Sequence, residues 1–148
     1  MKTEPLAQAI HIVGIELRTT NLEAVQTIPP HWADFAQQGV LAHIPNKLDD
    51  DVYAVYTHFE NAGNDNTGIY SLVIGAAVPA SAEVPAGMVR AVIPASTRVV
   101  FNVEPGRVDL VGAKWMEIWG HTELPKTFIA EYERYSADGK IAISVGLQ

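Results

Sequence analysis

Cysteine is absent from the 148-residue chain. That absence excludes a disulfide scaffold, thiolate zinc sites and a cysteine nucleophile, while leaving the redox compartment open. Positive charge is scarce: ten Lys and Arg stand against 17 Asp and Glu, for a net charge of -7 and a pI near 5.1. With no basic cluster to meet a phosphate backbone, direct nucleic-acid binding is not expected, whereas cations would be attracted. No apolar run approaches the ~18 residues of a spanning helix, and the opening Met1–Pro5 lacks the apolar core of a secretion signal. The expectation is a cytoplasmic protein without a membrane partner. Familiar catalytic signatures are missing as well: there is no GxGxxG, P-loop, GxSxG or HExxH. His11, His31, His43, His58 and His121 show no ligand spacing and sit beside no nucleophile motif. Asp49-Asp50-Asp51 lacks the glycine and distal glutamate of a calcium loop and reads as a turn. Neither metal, cofactor nor catalytic residue is expected.

What is present is 48% hydrophobic sequence, enough in a chain of this length for one domain spanning 1–148 with its own core. Ala9–Arg18 alternates as a strand, with His11, Val13 and Ile15 on one face and Ile12, Gly14 and Glu16 on the other. Asn21–Gln38 changes to helical spacing through Trp32, Phe35 and Ala36, with Pro29 and Pro30 suited to its entrance and Gly39 to its end. Asp51–Glu60 and Gly68–Val78 are strands joined by the turn-forming Asn61–Thr67. After the short polar link Pro79–Ala86 the order repeats. Met88–Val103 is strand-like but interrupted at Pro94, which suggests a bend or an edge free to support a dimer. Asp109–His121 is helical, with Asp109 placed as N-cap and Val111, Trp115 and Ile118 on one face. Phe128–Tyr135 and Lys140–Leu147 form a second hairpin turned at Ala137-Asp138-Gly139. The predicted class is α+β, with duplicated strand–helix–strand–strand modules (about 8–80 and 87–148). Helices should cover one face of an antiparallel sheet and leave the other open.

Alternation along Phe128–Tyr135 puts Ile129, Glu131, Glu133 and Tyr135 on one face, and Phe128, Ala130, Tyr132 and Arg134 on the other. Phe128, Ala130 and Tyr132 suit the helix-covered side, which would direct both carboxylates to the uncovered one. Two readings follow: a solvated strand face, or a pocket in which a carboxylate among aromatic rings receives a lipophilic cation. Tyr53 and Phe59 share one face of their strand, Tyr56 takes the other, and Tyr70 opens the next strand. Trp115 and Trp119 are helical neighbours, a spacing that fits core packing as well as a pocket wall. Glu117 falls with Lys114 and His121 on the polar stripe.

Trp32-Ala33-Asp34-Phe35, Asp51–Tyr56, Ile69–Val78 and Tyr132-Glu133-Arg134-Tyr135 together resemble the effector-binding domains of AraC- and MerR-type multidrug regulators. Stand-alone gyrase-inhibitor-like (GyrI-like) relatives, integron cassette proteins among them, share the pattern. The resemblance spans most of the chain and implies a central cleft that takes up amphipathic, often cationic, drug-like molecules. Glu133 matches the glutamate of the family signature and Tyr135 its aromatic companion. Trp32, Phe35, Tyr56 and Tyr70 match wall positions, and Glu131 and Trp115 are further candidates. Two departures stand out: Ala77 where members often carry an acid, and the altered loop Gly120–Pro125. The resemblance thus implies a non-enzymatic receptor, standing alone without a DNA-binding segment, and acting by itself, as a homodimer or with a regulator chain. It also leaves open a protein-binding inhibitor, or a hydrolase with Glu133 as general base.

Overall fold

Eight strands and two α-helices make up the computed structural model, which describes residues 1–148. β1 (Lys2–Leu6) and β2 (Ile10–Thr19) lead into α1 (Ala24–Gln37) and a 3-10 turn (Val40–His43), followed by β3 (Val52–Thr57) and β4 (Tyr70–Val78). β5 (Val89–Ile93), β6 (Ser96–Val103), α2 (Val111–Gly120), β7 (Ala130–Tyr135) and β8 (Ile141–Leu147) repeat that order. One antiparallel sheet, ordered β1-β6-β8-β7-β3-β4-β2-β5, holds every strand. The fold is therefore the expected α+β arrangement of two strand–helix–strand–strand modules. They join at the middle of the sheet, where β3 pairs with β7 from Val52↔Tyr135 to Thr57↔Ala130.

Each module is also preceded by one further strand, which crosses to the other. β1 pairs with β6, and β5 pairs with β2. Met88–Val103 is thus two strands rather than one bent one, and β5 is paired rather than free along both edges. Pro94, with no N–H to offer a ladder, separates them. β1 was not anticipated, because a polar, exposed segment containing Pro5 carries no strand alternation.

The sheet curls far enough for β5 to contact β3 and β7, which are not its neighbours in the ladder. Curling corrects the expectation of an open second face: Ile12, Tyr53, Val55, Val73, Ala91 and Ile93 bury one another there, with Ala130. Gly14 and Gly75 face each other in register on that side. A Cβ on Gly14 would lie 2.1 Å from the Ile74 carbonyl oxygen, and one on Gly75 would lie 1.9 Å from that of Val13. Only glycines let the backbones approach so closely.

On the other face each helix packs over its own module. α1 covers Val13, Ala54, Leu72, Ile74 and Ala76 through Phe35, whereas α2 covers Val99, Phe101, Ile143 and Val145 through Val111, Trp115 and Ile118. These two cores have only Tyr56 and Tyr135 in common, both at their margins. No helix sits over the β3–β7 seam, so a groove runs between α1 and α2. Pro29 and Pro30 lie inside α1 rather than at its entrance. The carbonyls they leave unpaired belong to Val25 and Gln26, both exposed, so water can satisfy them. Asp109 does not cap α2: it belongs to the preceding 3-10 turn and pairs with Arg107 at 2.9 Å, while Leu110 occupies the cap.

Replacing Gly75 by Ala should destabilise the protein by about 1–3 kcal/mol or more, since backbone rather than a flexible side chain blocks the added methyl. Gly112→Ala, where nothing lies within 4 Å, should leave stability level or raise it by up to ~1 kcal/mol. Urea unfolding of both variants checks this; equal stabilities would contradict the close approach of β2 and β4.

Candidate functional site

The groove between the helices is a cleft of about 1210 Å³. Ile28, Pro29, Trp32 and Phe35 of α1 form one wall, and Val111, Gly112 and Trp115 of α2 form the other. Val52 and Tyr56 of β3 with Glu133 and Tyr135 of β7 make the floor. These two strands reach the floor because β7 turns Glu131, Glu133 and Tyr135 toward the helices, while Ala130 and Tyr132 join the opposite core. This reverses the assignment expected for Phe128–Tyr135. From Ala130 onward alternation correctly separated the two sets of residues, but both faces of the sheet are buried, so hydrophobicity did not say which set met the helices.

Glu133 is 3% exposed at the seam. Its Oε2 accepts from the Tyr56 hydroxyl at 3.0 Å and from the Trp115 indole N–H at 2.7 Å. Oε1 accepts from the Tyr135 hydroxyl at 2.6 Å. All three donors are neutral, and no lysine or arginine pairs with the carboxylate. Burial pushes the Glu133 carboxyl above its ordinary range, and the bonds from Tyr135, Trp115 and Tyr56 offset that only in part. Burial, reinforced by the adjacent Glu133 charge, also raises Tyr56 and Tyr135. Both phenols therefore stay protonated as donors. Trp32 stands edge-on to Tyr135 at 5.3 Å and to Phe35 at 6.1 Å, while Trp115 stands edge-on to Tyr56 at 5.5 Å. The floor is an acid inside a ring of aromatic edges and faces.

Behind Tyr56 and Trp115 lies a second cavity of about 410 Å³, lined by Asn21, Tyr70, Phe59, Trp119 and Glu131 among others. Of the sequence candidates, Glu133, Tyr135, Trp32 and Phe35 meet in the first cavity, Tyr70 and Glu131 lie in the second, and Tyr56 and Trp115 border both. Tyr70 is engaged by its hydroxyl, which donates to Asn21 Oδ1 at 2.9 Å. Glu117 is exposed and pairs with Lys114 at 3.3 Å, outside both cavities. Ala77 belongs to the opposite core, so its departure from the family pattern does not touch the cleft.

Several lining residues were missed. Val111 and Gly112 lie one helical turn before the candidate Trp115, a spacing that marks one face of α2 but not what lies opposite. Phe59 was assigned to the face of Tyr53, yet His58 has a positive φ of 51° and breaks the alternation, so Phe59 stacks at 5.7 Å on Tyr70. Phe128, at φ 50°, breaks the strand in the same way at the start of β7. The acids at 49–51 hold structure: Asp51 accepts from Arg134 at 2.7 Å and from the Ala137 N–H at 2.9 Å.

The Cass2 family model, described as integron-associated effector binding protein, matches residues 7–142. No curated protein sequence matches the chain. Among solved structures, an integron cassette protein from the mobile metagenome of Vibrio cholerae superposes with a TM-score of 0.77 at 18% identity, covering 99% of this chain and 95% of that one. SAV2435, solved bound to tetraphenylphosphonium, gives 0.80 at 19% identity over 99% and 93%. A protein from Staphylococcus aureus MU50 described as acting in transcription regulation gives 0.76 at 18% identity over 99% and 97%. At these identities the likeness is one of fold.

Glu131 offers a test of this site's electrostatics. Burial pushes its carboxyl from 4.5 to about 7, with Arg98 and Lys126 pulling only weakly the other way. The folded state therefore holds the proton more tightly than the unfolded chain. Stability should be highest below about 4.5, fall as pH rises to about 7, and level off above, a loss of about 3 kcal/mol from this group. Urea unfolding across that range should show Glu131→Gln gaining on the parent by about that amount as pH rises. Parallel curves for the two proteins would contradict it.

Proposed function

This chain belongs to the integron-associated effector-binding proteins, and from that premise we propose that it is a receptor for amphipathic organic cations. The observation that carries the reading is Glu133: a buried carboxyl on the floor of an aromatic cleft, held by three neutral donors and paired with no cation, since the one lysine of the lining, Lys47, gives its ammonium to the Leu41 and Ile44 carbonyl oxygens. Its two oxygens are fixed in place by those donors before any ligand arrives, so little reorganisation opposes binding, and an arriving cation would favour the charged form of the carboxyl. A positively charged guest would supply what the site lacks. The edges and faces of Trp32, Tyr135, Tyr56 and Trp115 would meet its apolar groups and attract its charge. The tetraphenylphosphonium held by SAV2435 is a lipophilic cation of this kind.

The same geometry favours a receptor over a hydrolase. Both Glu133 oxygens already accept short hydrogen bonds, which leaves this carboxylate poorly placed to take a proton from water. The proposal therefore carries no enzymatic step. It includes a single ligand-binding unit in the cytoplasm, whose occupied state is read by a regulator chain or by a second copy.

Calorimetric titration with tetraphenylphosphonium and with neutral triphenylphosphine oxide tests the reading. Glu133→Gln should weaken phosphonium binding about 10- to 100-fold and leave the neutral compound unchanged. Trp115→Phe, which keeps a ring but removes the N–H, should weaken phosphonium binding by about 3- to 10-fold, because the carboxylate loses a donor. Equal phosphonium affinity in the parent and Glu133→Gln would overturn the proposal.

A further inference from the structure

Glu131 lies one same-face step from Glu133 along β7, about 7 Å away. It is 4% exposed, and its Oε1 is the one buried side-chain nitrogen or oxygen in the protein without a hydrogen-bond partner. The nearest cations do not serve it. Arg98 spends its guanidinium on the Ala130 and Ser144 carbonyl oxygens and Ser144 Oγ, and Lys126 donates to the His121 carbonyl oxygen. Oε1 is itself sealed from the cavity, but Oε2 has no hydrogen-bond partner either and is not among the sealed atoms, so the carboxyl lines the cavity with neither oxygen satisfied. Buried acceptors are rarely left empty, and this marks a place where a donor is missing.

Glu131 lines the cavity of about 410 Å³, and Tyr56 and Trp115, which hold Glu133, line it too. Those two side chains border both spaces, as do Ile28, Pro29 and Gly112. The spaces are therefore adjoining lobes of one groove, each with its own acid. The acids differ in what they lack. Glu133 has its hydrogen bonds and needs only opposite charge, which suits a fully substituted centre such as a phosphonium or quaternary ammonium. Glu131 lacks a hydrogen bond, which suits a cation bearing N–H.

We propose that the smaller lobe is a subsite for an N–H-bearing cationic head, a primary ammonium or amidinium, on a ligand whose apolar cationic body occupies the larger lobe. Glu131 accepts the hydrogen bond, and Asn21 and Tyr70 line the cavity around that head. The natural ligand class is then a two-headed amphipathic cation. This assignment rests on the receptor reading for its larger lobe, while the smaller lobe carries its own observation.

The test is calorimetry at about pH 8 with three phosphonium compounds: propyl-triphenylphosphonium, its 3-aminopropyl analogue, and the 3-trimethylammoniopropyl analogue that has the same charge but no N–H. The parent should bind the aminopropyl compound about tenfold tighter than either of the others. Glu131→Gln should erase that gain, so that the aminopropyl and propyl compounds bind the variant with equal affinity. Glu133→Gln should weaken all three together and keep the gain. Equal affinity for the amino and trimethylammonio compounds, or a gain that survives Glu131→Gln, would overturn the subsite. A propyl compound indifferent to Glu133→Gln would instead overturn the receptor reading alone. Benzylammonium, added to protein labelled with carboxyl-13C glutamate, probes the smaller lobe by itself. The Glu131 resonance, assigned by its loss in Glu131→Gln, should move on addition; an unmoved resonance would count against the subsite even if no phosphonium bound.

Discussion

Taking a carboxylate out of water costs several kcal/mol unless the protein answers its charge, and at Glu133 the answer comes from three directions at once. Tyr56 reaches it from the neighbouring strand, Tyr135 from its own strand and Trp115 from the helix above. Charge-assisted bonds of about 1.5–3 kcal/mol each are of the right size to hold the anion in place. They are not sufficient to return it to its ordinary acidity, since burial still raises its pKa. On the reading proposed above, that residual deficit is what a cationic ligand would make good.

The rest of the architecture follows from keeping that seam accessible. Two modules joined through β3 and β7 place the carboxyl between the two helices, where Trp115 of α2 reaches over it while α1 and α2 are each committed to a separate core. The exchanged strands, β1 and β5, and the glycine pair at Gly14 and Gly75 let the sheet curl until its far face is closed without a third layer. Tyr53 and Arg134, with ring and guanidinium 5.2 Å apart, and Tyr132 with Arg98 at the same distance, fix the seam from that far side. A stiff floor beneath two separately anchored helices suits a cleft that receives guests of varied shape, since its walls can adjust while its charge stays put.

Much of this was legible in the residues. Periodicity located both helices and both hairpins, and the Tyr132–Tyr135 signature singled out Glu133 together with its companion Tyr135. Other features left no trace. Alternation divides a strand into two sets, but when both faces are buried it does not say which set meets a helix, and so the orientation of β7 came out reversed. Positive φ at His58 and Phe128 breaks the two-residue rhythm without a glycine to announce it. Trp115 read as an apolar ring, whereas its decisive atom is one indole nitrogen, whose partner is 18 residues away. The lone oxygen of Glu131 is a property of packing, visible only once the neighbouring cations are found to be engaged elsewhere.

The central claim is that an organic cation is held by the charge of Glu133 within the aromatic groove. A crystal structure of the protein with tetraphenylphosphonium tests it most directly. The phosphorus should lie within about 6 Å of a Glu133 oxygen, with phenyl groups against Trp32 and Tyr135 and the three donors still in place. A phosphonium seated outside the groove, with the floor of the cleft undisturbed, would contradict it.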